Sequence, residues 1–157
     1  MILPILIGCI IIAMICFIFG GLKRKFKPWK TNYKPIEKVE LNPLEVELFD
    51  LINWHRKRLE LPILKPEKLA TEVCRKAILE DIEKGEKPSH VTWEKRIKDC
   101  KCDVGSEIIA MYYVNPLSAF SSYLRSQDHR SAIENHDRTH IGIGYTNNIN
   151  YCILTKY

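Results

Sequence analysis

Ser126-Gln127-Asp128-His129-Arg130-Ser131-Ala132-Ile133-Glu134-Asn135, followed by Thr139-His140-Ile141-Gly142-Ile143-Gly144-Tyr145, is the stretch that decides the fold. The first segment reads as a polar turn carrying His129 into a turn or two of helix. In the second, Ile141, Ile143 and Tyr145 alternate with Gly142 and Gly144. That is a strand with a glycine face, against which a backbone or helix packs closely. One histidine is therefore held beside a sheet. The other polar candidates, His90 and Glu107, lie upstream and reach it only if the fold brings them there.

Working outward, residues 140–146 and 149–155, joined at Asn147-Asn148, read as a hairpin. Upstream, Asn115-Pro116 caps a helix bearing Leu117, Phe120, Tyr123 and Leu124, and Glu107 to Val114 reads as an apolar strand. Lys87-Pro88-Ser89-His90 is a loop, and Thr92-Trp93-Glu94 starts a short helix to about Asp99. Leu69, Ala70, Val73, Cys74, Ala77, Ile78 and Ile82 keep a helical period that Gly85 ends. Asn42-Pro43-Leu44-Glu45 is a capping-box start, with Leu44, Leu48, Leu51, Ile52 and His55 on one stripe. Between these two helices Leu61-Pro62-Ile63-Leu64 is an apolar, packed loop. Helices outnumber strands and the clear strand pair is antiparallel. The fold class is therefore α+β, with helices packed on a small sheet.

The chain has 157 residues and a net charge of +5. Residues 23–38 alone net +6, so the remainder nets −1. The basic character belongs to a short linker, which argues against a nucleic-acid-binding domain. Residues 1–22 carry no charged side chain and are mostly Ile, Leu, Phe and Met. As a helix they extend about 33 Å, enough for a bilayer core of about 30 Å. The organisation expected is a transmembrane anchor at 1–22, a basic linker at 23–41 and a domain at 42–157.

Cysteine placement leaves two readings. Cys100-Lys101-Cys102 is too tight for a zinc knuckle. Either Cys152 pairs with Cys100 or Cys102 in an oxidising compartment, or all three are reduced.

In its order of motifs the chain resembles the CAP superfamily (cysteine-rich secretory, antigen 5 and pathogenesis-related proteins), in particular the compact bacterial-type SCP branch. The resemblance covers roughly residues 46–157. Asn53-Trp54-His55-Arg56, Leu61-Pro62-Ile63-Leu64 and Leu69-Ala70 resemble the first-helix Asn-x-x-Arg, the Leu-Pro-x-Leu turn and the second helix. Ser89-His90 resembles the Ser-His loop, and Ser106-Glu107-Ile108-Ile109-Ala110 the Gly-Glu-Asn-Ile-Ala strand. Ser126 to Asn135 and Thr139 to Tyr145 resemble the Ser-Pro-Gly-His-Arg-x-x-Ile-x-Asn segment and the Gly-x-Gly-Tyr strand. Ser106 replaces the glycine and Ile108 the asparagine of the strand motif.

The resemblance implies an α-β-α sandwich with a small antiparallel sheet flanked by helices. It also implies a cleft holding two histidines and acidic residues. His90, Glu107 and His129 carry over, and Ser126 stands near the place of the second acidic residue. A binding or interaction module is the leading functional reading, with a lipid, another small apolar ligand or a protein as partner. The alternative is a divalent-metal-dependent hydrolase. In it His90 and His129 hold Zn²⁺ or another divalent ion, and Glu107 serves as ligand or base. If the three groups meet without metal, Glu107 is expected to favour the protonated form of a neighbouring histidine. The resemblance also implies export of the domain, although the basic flank after residue 22 favours the cytoplasm under the positive-inside rule.

The missing cleavage site after 1–22 predicts that these residues stay attached. Intact-mass measurement of the mature protein is expected to include them, and protease added to intact cells is expected to degrade the domain. An N-terminus near Leu22 or Lys23 would overturn the anchor, and protection from protease would overturn export.

Overall fold

The computed structural model describes residues 39–102, 104–146 and 148–156. The apolar stretch 1–22 and the basic linker through residue 38 lie outside them. No helix among the described residues is long and apolar enough to cross a membrane.

Helix α1 spans Pro43–Arg58. The Asn42 side chain accepts from the Leu44 and Glu45 N–H groups at 3.0 Å, and the Glu45 carboxylate accepts from the Asn42 N–H at 2.8 Å. That closes the expected capping box. Leu48, Leu51 and Ile52 are buried as the stripe requires, but Leu44 is exposed. The place expected for Leu44 is taken by Glu45, fully buried and paired with Arg75 at 2.5 Å. A capping carboxylate with its own guanidinium partner is thus accommodated inside, where an unpaired one would be costly.

The Leu61–Leu64 loop is pinned by Asn53. Its amide donates to the Leu64 carbonyl at 3.1 Å, and its oxygen accepts from the Leu64 N–H at 2.8 Å. This holds Lys65–Pro66 straight as strand β1, parallel to the later strand at His140–Thr146. Two residues have no readable period, and the strand escapes a sequence-based reading. Glu67 caps α2 (Lys68–Lys84), and Gly85, in the left-handed region at φ 65°, ends it.

Helix α3 is Trp93–Asp99, strand β2 Val104–Met111, helix α4 Pro116–Arg125, helix α5 Gln127–Glu134, strand β3 His140–Thr146 and strand β4 Ile149–Lys156. Strand β2 lies three residues earlier than the 107–114 expected. Tyr112, at φ 68°, turns the chain out of the sheet. The sheet order is β1-β3-β4-β2. β3–β4 and β4–β2 are antiparallel and β1–β3 is parallel. The sheet is therefore mixed rather than antiparallel, and β2 is an edge strand.

Strand alternation separates two cores. Ile108, Ile143, Cys152 and Leu154 face α1, α4 and α5, where Leu48, Ile52, Phe120, Tyr123 and Ile133 meet them. Ile109, Tyr151 and Ile153 face α2 and α3, against Cys74, Ile78, Ile97 and Cys100. The layers are helix, sheet, helix. Cys152 belongs to the first core, whereas Cys100 and Cys102 pack in the second. The sheet stands between them, which rules out the pairing of Cys152 with either.

The glycine face of β3 meets α2 as expected. A Cβ on Gly142 would stand 2.2 Å from the Ala70 carbonyl carbon and 2.4 Å from the Thr71 nitrogen. Those are backbone atoms of α2 and cannot swing aside. Gly142→Ala is predicted to destabilise the domain by about 2–3 kcal/mol, the cost of overpacking a closed interface. Urea denaturation measures it; a loss below about 0.5 kcal/mol, the level of an ordinary surface substitution, would show that α2 is free to move.

Candidate functional site

The site is built on the connection between α5 and β3, and Arg56 fixes that connection. Arg56 is fully buried. Its Nε donates to the Pro62 carbonyl at 2.8 Å. Nη1 donates to the Ile133 and Asn135 carbonyls at 2.6 and 2.9 Å, and Nη2 to that of Arg138 at 3.1 Å. Burial pushes the Arg56 guanidinium down to about 10, so it stays charged at neutral pH. One turn of α1 thus holds both ends of the segment leaving α5. Arg138 then donates to Ser106 Oγ from Nε at 3.3 Å and from Nη2 at 3.0 Å, tying the segment to edge strand β2.

His90, Glu107, Ser126 and His129 all line one open cavity of about 720 Å³ beside β2. Glu107 comes from the edge strand, His90 from the loop before α3, and Ser126 and His129 from the start of α5. That helix begins two residues before His129, not at it. Ser126 is its N-cap, and the Ser126 side chain makes no capping bond.

The Glu107 side chain is 1% exposed. It accepts from Arg96 Nε through one carboxylate oxygen and from Arg96 Nη2 at 2.8 Å through the other. His90 Nδ1 lies 2.9 Å from that second oxygen. Arg96 also donates to the Thr92 hydroxyl at 2.5 Å and the Ser89 carbonyl at 2.8 Å. Its guanidinium stands 5.2 Å above the Tyr151 ring, and the Tyr151 hydroxyl donates to Asp81 at 2.5 Å. Sequence reasoning missed Arg96. The signal lay in α3, where Arg96 is four residues before buried Cys100 and adjacent to buried Ile97. A cation at that helical position faces inward, where a buried carboxylate needs one.

The His129 ring meets Tyr123 edge-on at 5.3 Å between centroids and lies 6.4 Å from His90. Tyr123 is itself buried and donates to Asn150 Oδ1. Burial, then the positive charge of a protonated His90, lowers the His129 pKa; Asp128 opposes them weakly. The histidine beside Glu107 is His90, whereas the shifted ring, His129, responds to burial and to His90 rather than to that carboxylate.

The same bonds bear on a metal. Two imidazoles and a carboxylate suit a divalent cation, but here the carboxylate already holds a guanidinium, whose charge repels one. Among the described residues no group of three or more His, Cys, Asp or Glu is placed to hold a metal ion. Glu107 is thus poorly placed to serve as a third ligand beside His90 and His129.

A helix–sheet–helix sandwich with a histidine- and glutamate-lined cleft at its edge strand has the fold of the SCP domain. The chain is similar to an extracellular protein containing an SCP domain from Bacillus anthracis, with a TM-score of 0.67 and 21% identity over 76% of this chain and 45% of that one. It is similar to a cysteine-rich secretory protein from Staphylococcus aureus at 0.66 and 17% identity, covering 80% of this chain and 42% of that one. An outer surface protein from Borrelia burgdorferi matches at 0.64 and 23% identity, over 76% of this chain and 97% of that one. The chain thus spans less than half the length of the first two. No family model matches the sequence, and no curated protein matches it.

The lowered His129 pKa gives a signed prediction. Neutral His129 is favoured by folding, so its contribution to stability is complete above about 6.5, the unfolded value. It is lost as pH falls below that value toward the folded pKa, because the unfolded chain takes the proton first. NMR titration of the ring is expected to give a midpoint below 6.5, rising in His90→Ala as that neighbouring charge disappears. A wild-type midpoint above 6.5 would contradict the geometry.

Proposed function

We propose that this chain is a member of the CAP superfamily. In this reading its domain is a binding module, exported and held at a membrane by residues 1–22. The observation that carries this is the pairing of Glu107, which lines the cavity, with Arg96. A carboxylate whose two oxygens are both engaged by one guanidinium is poorly placed to take a proton from water or a hydroxyl. It is well placed to hold a loop in shape, and Arg96 does so by bonding Ser89 and Thr92 on either side of His90. The result is a rigid rim around an open, solvent-reachable hollow of a size that suits a small ligand. The surface and extracellular character stated for two structural neighbours supports export.

A fragment screen by heteronuclear NMR tests the binding reading. Shifts are expected to concentrate at His90, Ser106, Ser126 and His129. Fragments that bind only elsewhere would defeat it. Calorimetry with Zn²⁺ is expected to give the same heats for wild type and for His90→Ala/His129→Ala. Tight zinc binding lost in the double variant would restore the metal reading.

A further inference from the structure

A second hollow of about 330 Å³ adjoins the cavity, and Trp93 and Gly105 border both. The two form one run along edge strand β2, with Trp93 between them. Trp93 opens α3, and 40% of it is exposed. The polar groups to one side of it are Ser126, Ser131, Asn135 and Asp128; to the other, beside the apolar Ile97, Cys102 and Val104, they are Glu94 and Lys98. These are hydroxyls, an amide and charges of both signs, each able to pair with a hydroxyl group. The buried charge on Glu107 is matched by Arg96, and the exposed Asp128, Glu94 and Lys98 are of both signs, so the run shows no single sign that selects an ion.

A lipid tail needs a continuous apolar wall, because polar side chains covered by it lose their water. Here polar side chains interrupt the wall on both sides of the indole. A flat aromatic face flanked by such groups fits a ligand with C–H bonds on its face and hydroxyls around its edge. We propose that the run binds a short neutral oligosaccharide, with one pyranose ring seated on Trp93. This rests on the binding reading above and names the ligand class. Ser126, whose side chain makes no capping bond, and Ser131, exposed on α5, take hydroxyls of the neighbouring ring.

The test uses the full chain in a zwitterionic detergent without a sugar headgroup. Cellotriose, maltotriose and triacetylchitotriose are titrated, with oleate as the apolar arm, and the Trp93 indole N–H is followed by NMR. At least one trisaccharide is expected to saturate in the millimolar range or below, shifting Trp93 and Ser131. Trp93→Ala is expected to weaken it about tenfold and Trp93→Tyr less than about threefold, an aromatic face being retained. Ser131→Ala, a surface change that leaves the core intact, is expected to weaken it about threefold, the loss of one exposed hydrogen bond. Saturation by no trisaccharide up to about 20 mM, the weak end of useful affinity, overturns the inference. If oleate then saturates and shifts His90 and His129, the binding reading survives without it. Trisaccharide binding unchanged in both Trp93→Ala and Ser131→Ala also overturns it.

Discussion

The buried guanidinium of Arg56 is the constraint on which the rest of the molecule depends. A charge in a protein interior is tolerated only when its donors are met. Arg56 meets that demand with four carbonyls drawn from the loop after α1, the end of α5 and the approach to β3. Hydrogen bonds to a charged group contribute more than neutral ones, about 1.5–3 kcal/mol each. They also fix direction. Carbonyls from segments about 80 residues away must all point at one helix turn. On the preceding residue His55 bonds Glu134 at 2.8 Å, so the C-terminal end of α5 is held by two neighbouring residues of α1.

From that anchor the cleft follows in steps. Arg56 holds Arg138, whose side chain reaches Ser106 on β2. The next residue, Glu107, points to the opposite face and takes Arg96 and His90. Edge strand β2 is therefore gripped from both sides. The rim is assembled from three separate parts of the chain, the loop before α3, β2 and α5. Preorganisation of this kind lowers the ordering cost of binding. It also explains why His90, half exposed, has a defined place.

The second arginine changes the chemistry more than any other residue. Two histidines and a glutamate suggest a metal or a proton relay. With Arg96 on both carboxylate oxygens, Glu107 and His90 become a hydrogen-bonded frame, and the shift of His129 beside it comes from burial and from His90. Function in a fold of this kind lies in the detail of its site rather than in its architecture.

The sequence by itself determined the local pieces. Asn42, Asn115 and Gly85 mark helix ends by capping chemistry that needs only neighbouring residues. The alternation of Gly142 and Gly144 with isoleucines marked both a strand and the face a helix would approach. Ordered motifs named His90, Glu107, Ser126 and His129, and the fold does place them around one cavity. Tertiary structure alone decided the rest. Strand β1 exists because Asn53 and β3 hold it. Cys152 is separated from Cys100 and Cys102 because odd and even residues of β4 face different cores. Arg96 and Arg56 matter through partners that lie 11 and up to 82 residues away. Burial and charge pairing are properties of the packed chain, and neither the periodicity nor the spacing of the residues reveals which charges meet.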